Sequence, residues 1–140
     1  MEKKYRILAE FIKNISAETP NVESFIYTKD NISKYRLHID IKTKPLKSKM
    51  AEVAVSVKFK NTEENDNKSF FEMIYAIIVK INDEVNTKEE LEPIFLKEVP
   101  TEVYPRIEES FLKILGYSGF PNVNFETKVD FEKLYNERKN

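Results

Sequence analysis

The apolar residues of this chain recur with period two through its middle and with period 3.6 through its last third. That switch dictates strands first and helices last. Tyr35, Leu37, Ile39 and Ile41 alternate with Arg36, His38, Asp40 and Lys42, the pattern of a strand with one face in water. Ala51, Val53, Val55, Val57 and Phe59 alternate with Glu52, Ser56, Lys58 and Lys60 and predict a second strand. Pro45–Lys49 reads as a polar connection between the two, and Glu63–Lys68 as a polar turn before a third strand, Phe70–Ile81. The third strand is apolar on both faces around Ile74–Val79, which predicts a central or doubly covered position.

Beyond residue 87 the pattern is helical. Thr87 and Glu90 have capping-box spacing and predict a short helix, Lys88–Leu96, weakened by Pro93. Thr101 is placed to cap a longer helix. Its apolar face would be Tyr104, Ile107, Phe111, Ile114 and Leu115; its wet face would be Arg106, Glu108, Glu109 and Lys113. On that reading Pro105 sits in the first turn, where a missing N–H is tolerated, and Gly116 is the C-cap. Asp130 would cap a last helix, Phe131–Arg138. The first segment fits both periods. Ile7, Ala9 and Phe11 alternate, while Leu8, Phe11, Ile12 and Ile15 lie on one helical face. Pattern alone slightly favours the helix, and Pro20 ends the element either way.

The 140 residues fit one domain, 1–140, long enough to close a core without staples. There is no cysteine, so disulfides, thiol nucleophiles and thiolate metal sites are excluded. The two glycines, Gly116 and Gly119, cannot build a phosphate cradle. His38, the single histidine, lies on the wet side of a strand and reads as a solvated residue. Glu89, Glu90 and Glu92 read as a solvated helix start, and Lys42, Lys44, Lys47 and Lys49 as a solvated turn. Nothing forms a catalytic or metal-ligating constellation, so no enzyme, cofactor or metal is expected. The net charge of -1 divides unevenly: residues 1–60 carry 13 Lys/Arg against 7 Asp/Glu, residues 61–140 carry 10 against 17. The acidic half argues against nucleic acid as the main partner. No signal-peptide core opens the chain and Met73–Val79, the longest apolar run, is too short to span a bilayer. A cytoplasmic protein with no stable membrane insertion is expected.

Ten Phe and seven Tyr gather near turns and element ends: Phe25, Tyr27, Tyr117, Phe120, Phe125. Such aromatics either close a core or line an apolar groove that takes polypeptides.

Two stretches carry a family resemblance. Phe11-Ile-Lys-Asn-Ile-Ser-Ala-Glu-Thr-Pro-Asn21 resembles the first-strand signature of the SecB family. Leu96-Lys-Glu-Val-Pro100, Tyr104-Pro105, Gly119-Phe-Pro-Asn-Val-Asn-Phe125 and Val129-Asp-Phe-Glu-Lys-Leu-Tyr135 resemble that family's C-terminal pattern. The resemblance spans about residues 5–136. It implies that the first segment is a strand and that the fold is α+β, a four-stranded antiparallel sheet followed by two main helices. It implies an ATP-independent chaperone that holds unfolded polypeptides, preproteins above all, export-competent for the SecA translocase. A dedicated chaperone of a toxin–antitoxin system and a non-catalytic adaptor are the alternatives. It further implies a homotetramer, a dimer of dimers, with first strands and long helices at interfaces and Ile107, Phe111 and Ile114 on the buried helix face. Glu18, Phe70 and Glu72 match SecA-contacting positions, and Asn14 replaces the family's usual Asp. No counterpart of the family's acidic, zinc-binding tail is expected. For clients, Leu134 and Tyr135 with Phe120 and Phe125 are expected to form one wall and Phe25–Tyr27 the other.

Overall fold

The computed structural model describes residues 4–62, 69–125 and 128–139. Strands β1 (Tyr5–Glu18), β2 (Tyr35–Leu46), β3 (Met50–Asn61) and β4 (Phe70–Ile81) form one antiparallel sheet in the order β1-β4-β3-β2. The chain leaves β1 at one edge, crosses to β2 at the other through helix α1 (Val22–Asp30), and returns as a meander that sets β4 beside β1. The apolar run Ile74–Val79 therefore lies in an interior strand, as its two-sided hydrophobicity requires. Pro45 and Leu46 extend β2 instead of entering the connection. The turn is only 47–49, with Ser48 and Lys49 at positive φ. The Glu63–Lys68 turn falls outside the described residues.

Alternation along β3 and β4 sends Val53, Val55, Val57 and Phe59, with Phe71, Met73, Ile77 and Val79, to one face. Helix α3 (Val99–Tyr117) covers that face with Val103, Ile107, Phe111 and Leu115, each 0% exposed. Each such side chain contributes about 1.5–3 kcal/mol of transfer free energy. Ile107 and Phe111 are thus spent on the chain's own core. Of the three residues expected at a helix interface, only the half-buried Ile114 keeps surface.

Helix α2 (Lys88–Pro93) runs through one π turn, Ile94–Glu98, straight into α3. Val99 donates its N–H to Ile94 O, five residues back. The widening falls just before Pro100, which has no N–H to give and whose ring would press on a carbonyl four residues earlier. Thr101 is consequently inside the helix, its hydroxyl donating to Lys97 O at 2.6 Å, and is not a cap. Pro105 lies in the helix interior, beyond the first turn. Its missing hydrogen bond costs up to about 3 kcal/mol, offset by the buried residues on either side of it. Gly116 is also helical. The reversal comes three residues later: Gly119 N–H reaches Gly116 O at 3.1 Å and Phe120 N–H reaches Leu115 O at 2.9 Å, a Schellman motif with Gly119 at φ +102°. Asp130 caps helix α4 (Phe131–Lys139) through Lys133 N–H at 3.0 Å.

Helix α1 is an element the periodicity did not announce. Asn21 Oδ1 accepts from Ser24 N–H at 2.8 Å, but the buried side of the helix is polar, Ser24 and Thr28. Thr28 Oγ1 accepts from Ser69 N–H at 3.1 Å, and Tyr35 donates to Ser69 O at 3.1 Å. Hydroxyls, not an apolar stripe, pin α1 to the ends of β2 and β4.

Candidate functional site

The Schellman turn aims the loop after α3 back at α1. Phe120 stacks on Phe25 at 5.2 Å between ring centroids and meets Phe71 edge-on at 5.8 Å. Phe125 lies edge-on to Phe59 at 5.6 Å. Between α1, the start of β2 and residues 119–125 these rings line an open groove of about 870 Å³. Its floor, Phe59 and Phe120, is 5% and 7% exposed and continuous with the core. Phe25 and Phe125 are half-buried, and Lys29 and Arg36 stand at the rim.

The expected client residues therefore divide. Phe25, Phe120 and Phe125 meet in the groove. Tyr27 does not line it: its hydroxyl accepts from Asn61 Nδ2 at 3.3 Å. Leu134 and Tyr135 lie elsewhere, in a small cleft with Ile41, Leu96 and Arg138. There Arg138 Nη1 donates to Ile41 O at 3.3 Å and screens the β2 edge. The periodicity reading missed Val22 and Ile26, one turn apart on α1 and 69% and 52% exposed. Their spacing of four was the available signal.

Among the described residues no helix covers the opposite face of the sheet. Register places Asn14 beside Ile74, Ser16 beside Glu72 and Glu18 beside Phe70, so Asn14, Glu18, Phe70 and Glu72 share this face as one patch. Glu72 lies 3.5 Å from Lys58. Phe70 is 37% exposed.

Strand β1 is a free edge carrying Leu8, Phe11, Ile12 and Ile15, all 42–46% exposed. It is anchored to α3 by Glu10, which receives Arg106 Nε at 2.9 Å, Arg106 Nη2 at 2.6 Å and the Tyr75 hydroxyl at 2.9 Å. The Arg106 hydrogen bonds hold the Glu10 carboxyl below its usual range. Tyr5 donates to Glu102 at 2.7 Å, and burial first, then Glu102, pushes its hydroxyl well up. No cluster of His, Asp or Glu suited to a metal ion occurs among the described residues. None of the described helices is long and apolar enough to cross a membrane.

The family described as preprotein translocase subunit SecB matches residues 1–140. The chain belongs to the SecB family. It is 42% identical over 140 residues to a Pelagibacter ubique chain that carries the same family name, covering all of both. It is 25% identical to the protein-export protein SecB of Parvibaculum lavamentivorans, over 95% of this chain and 77% of that one. Among solved structures, the fold is similar to the SecB-like chaperone Rv1957 of Mycobacterium tuberculosis, in complex with a ChAD peptide from the HigA1 antitoxin. That similarity has a TM-score of 0.66 and 15% identity over 89% of this chain and 91% of that one. The SecB family is one of protein-export chaperones, and the α+β fold with a four-stranded antiparallel sheet agrees with it.

Proposed function

We propose that this SecB-family chain is a cytoplasmic, ATP-independent chaperone that holds unfolded preproteins in the groove of Phe25, Phe120 and Phe125. One observation carries the reading: three aromatic side chains from two distant segments converge on an open trough whose floor is the hydrophobic core. Aromatic faces bury area without demanding a particular hydrogen bond, so extended segments of many sequences fit. Several grooves on one oligomer would raise avidity. The exposed β1 supports assembly, because an unpaired apolar edge is a template for a second copy. On this reading β1, with Ile114, forms the interface of a dimer or tetramer. Handover would use the patch of Glu18, Phe70 and Glu72, with Asn14 beside it, as the contact for SecA.

Phe25→Ser should weaken binding of a labelled, permanently unfolded polypeptide about tenfold per folded molecule, beyond the few degrees of melting temperature that the lost stack on Phe120 costs. Tyr27→Ser, outside the groove, should leave binding per folded molecule unchanged. Equal affinity for wild type and Phe25→Ser would remove the groove from client binding. A monomer in light scattering at micromolar concentration would remove the assembly.

The peptide complex of the Mycobacterium tuberculosis fold relative favours a second reading, a chaperone dedicated to one antitoxin. Polypeptides captured during synthesis separate the two: one dominant small client supports it, and a spread of signal-bearing precursors supports export.

A further inference from the structure

The uncovered sheet face has a charge pattern that the fold alone does not favour. Opposite charges across an antiparallel pair stabilise it and like charges destabilise it. On this face the β2–β3 pairs set His38 opposite Lys58 and Arg36 opposite Lys60, and the one carboxylate these two rows meet on β4 is Glu72, beside Lys58. Lys42 follows two residues beyond Asp40 and faces Ala54. His38, Lys42, Lys58 and Lys60 line one shallow depression of about 340 Å³, with Ile74 among its lining residues. Arg36 turns its guanidinium to the carbonyls of Ser33 and Tyr35. Lys58 is balanced by Glu72 at 3.5 Å. Among the described residues Lys42 and Lys60 have no carboxylate within ion-pair distance. Burial first, then Lys60 and Lys58, holds the His38 imidazole below its usual value.

We infer that this lane, Lys42, His38, Lys58 and Lys60, docks an extended, acidic segment of another protein. It stands apart from the aromatic groove and adds an acidic partner to the face that carries Glu18, Phe70 and Glu72. Three observations select the occupant. Charge complementarity requires carboxylates or phosphates. The apolar floor at Ile74 and Ala54 offers contact to side chains that a phosphate backbone lacks. Asp40 and Glu72 also line the depression. A nucleic acid carries a charge at every residue and cannot skip them, whereas a polypeptide can set neutral or basic side chains against them.

The test uses the full chain and a labelled peptide of about twelve residues alternating Glu with Ala, with Lys at one central Glu position, so that the carboxylates share one side when extended and a basic side chain can meet Asp40 or Glu72. Controls replace every Glu by Gln, or the peptide by an oligothymidylate of similar length. Anisotropy should report binding of the Glu peptide that weakens as salt rises, and much weaker, salt-independent binding of the Gln peptide. Lys42→Glu/Lys60→Glu should weaken the Glu peptide about tenfold without lowering the melting temperature, since a carboxylate at position 60 would face Arg36. Equal affinity in the variant, a Gln peptide that binds as tightly as the Glu peptide, or salt-independent binding of the Glu peptide by wild type each overturns the inference. Tighter binding of the oligonucleotide assigns the lane to nucleic acid and overturns it too. Probe-free self-association abolished in the variant assigns the lane to a second copy and likewise overturns it. Because the salt dependence is read on wild type, a variant that fails to fold still leaves the inference refutable.

Discussion

Gly116 and Gly119 differ by three positions and should respond oppositely to alanine. At Gly119 the backbone has φ +102°, and an added Cβ would stand 2.6 Å from Cε2 of Phe25. Holding an L side chain in that region costs about 1–3 kcal/mol. The Phe25 ring must also leave its stack on Phe120, forfeiting about 0.5–1.5 kcal/mol. Gly119→Ala should therefore destabilise by about 2–4 kcal/mol. At Gly116 an added Cβ meets only Pro121 Cα, at an ordinary 3.9 Å. The residue is helical, so Gly116→Ala should stabilise by about 0.5–1 kcal/mol.

The assay is urea unfolding followed by far-ultraviolet circular dichroism. Protein concentration must be fixed, because subunit association adds to apparent stability. With a slope of about 2 kcal/mol per molar urea, the Gly119→Ala midpoint should fall by about 1–2 M. The variant should also lose affinity for unfolded polypeptide, because Phe25 no longer lines the groove as it does beside Phe120. A harmful Gly116→Ala with a neutral Gly119→Ala would refute the reasoning. The chain would then reverse at Gly116, and the aromatic pair that defines the groove would be misplaced.

Two further outcomes test the outer structure. Glu10 has a folded value below the ordinary 4.5, so its pair with Arg106 stabilises fully above that value and is lost as pH falls through the lower folded value. Arg106 is half exposed, so Glu10→Gln should cost only about 0.2–1 kcal/mol at pH 7 and nothing well below pH 4; a pH-independent difference between the two unfolding curves would sink this. Reversing Glu18 and Glu72 to Lys should weaken SecA binding in a pull-down with purified SecA and leave capture of unfolded polypeptide intact, and unchanged SecA retention would remove the patch from handover.

Much of the sheet was legible because β2, β3 and β4 each bury one face or two, so burial is written directly into their alternation. β1 was not, and its register explains why. It shifts against β4 between Ile7 and Ala9 and again between Ile12 and Asn14. Each shift inserts a residue and moves the alternation to the other face. With Leu8 and Lys13 inserted, Phe11 faces one side of the sheet and Ile12 and Ile15 the other, so no single alternation runs along the strand and the i, i+3, i+4 spacing of Leu8, Phe11, Ile12 and Ile15 reads equally as a helix. The helix before Tyr117 was misbounded for a different reason. Thr101 and Gly116 are good capping residues by type, but a cap acts only where the chain leaves the helix. Packing of Val99 and Val103 on the sheet carries the helix past Thr101, and the contact of Phe120 with Phe25 and Phe71 carries the reversal to Gly119.

The candidate groove was half legible for a related physical reason. Aromatic residues near turns name candidates but do not say which turns meet. Phe25 and Phe120 are 95 residues apart in the chain and are joined only because α1 is pinned by Thr28, Ser69 and Tyr35. Those are polar residues that periodicity assigns to no core. Leu134 and Tyr135, close to Phe125 in sequence, are carried away by α4 to the β2 edge, where Arg138 meets Ile41 O. The groove is thus positioned by a hydroxyl network on one side and a Schellman turn on the other, with the shared core beneath. Its inner rings cannot move without disturbing Phe59 and Phe71, whereas Phe25 stands on a short helix whose outer stripe, Val22 and Ile26, is already exposed. On the proposed reading, rearrangement to admit clients of different bulk would fall to α1, the wall whose buried side is polar and whose main apolar tie is the Phe25 stack on Phe120.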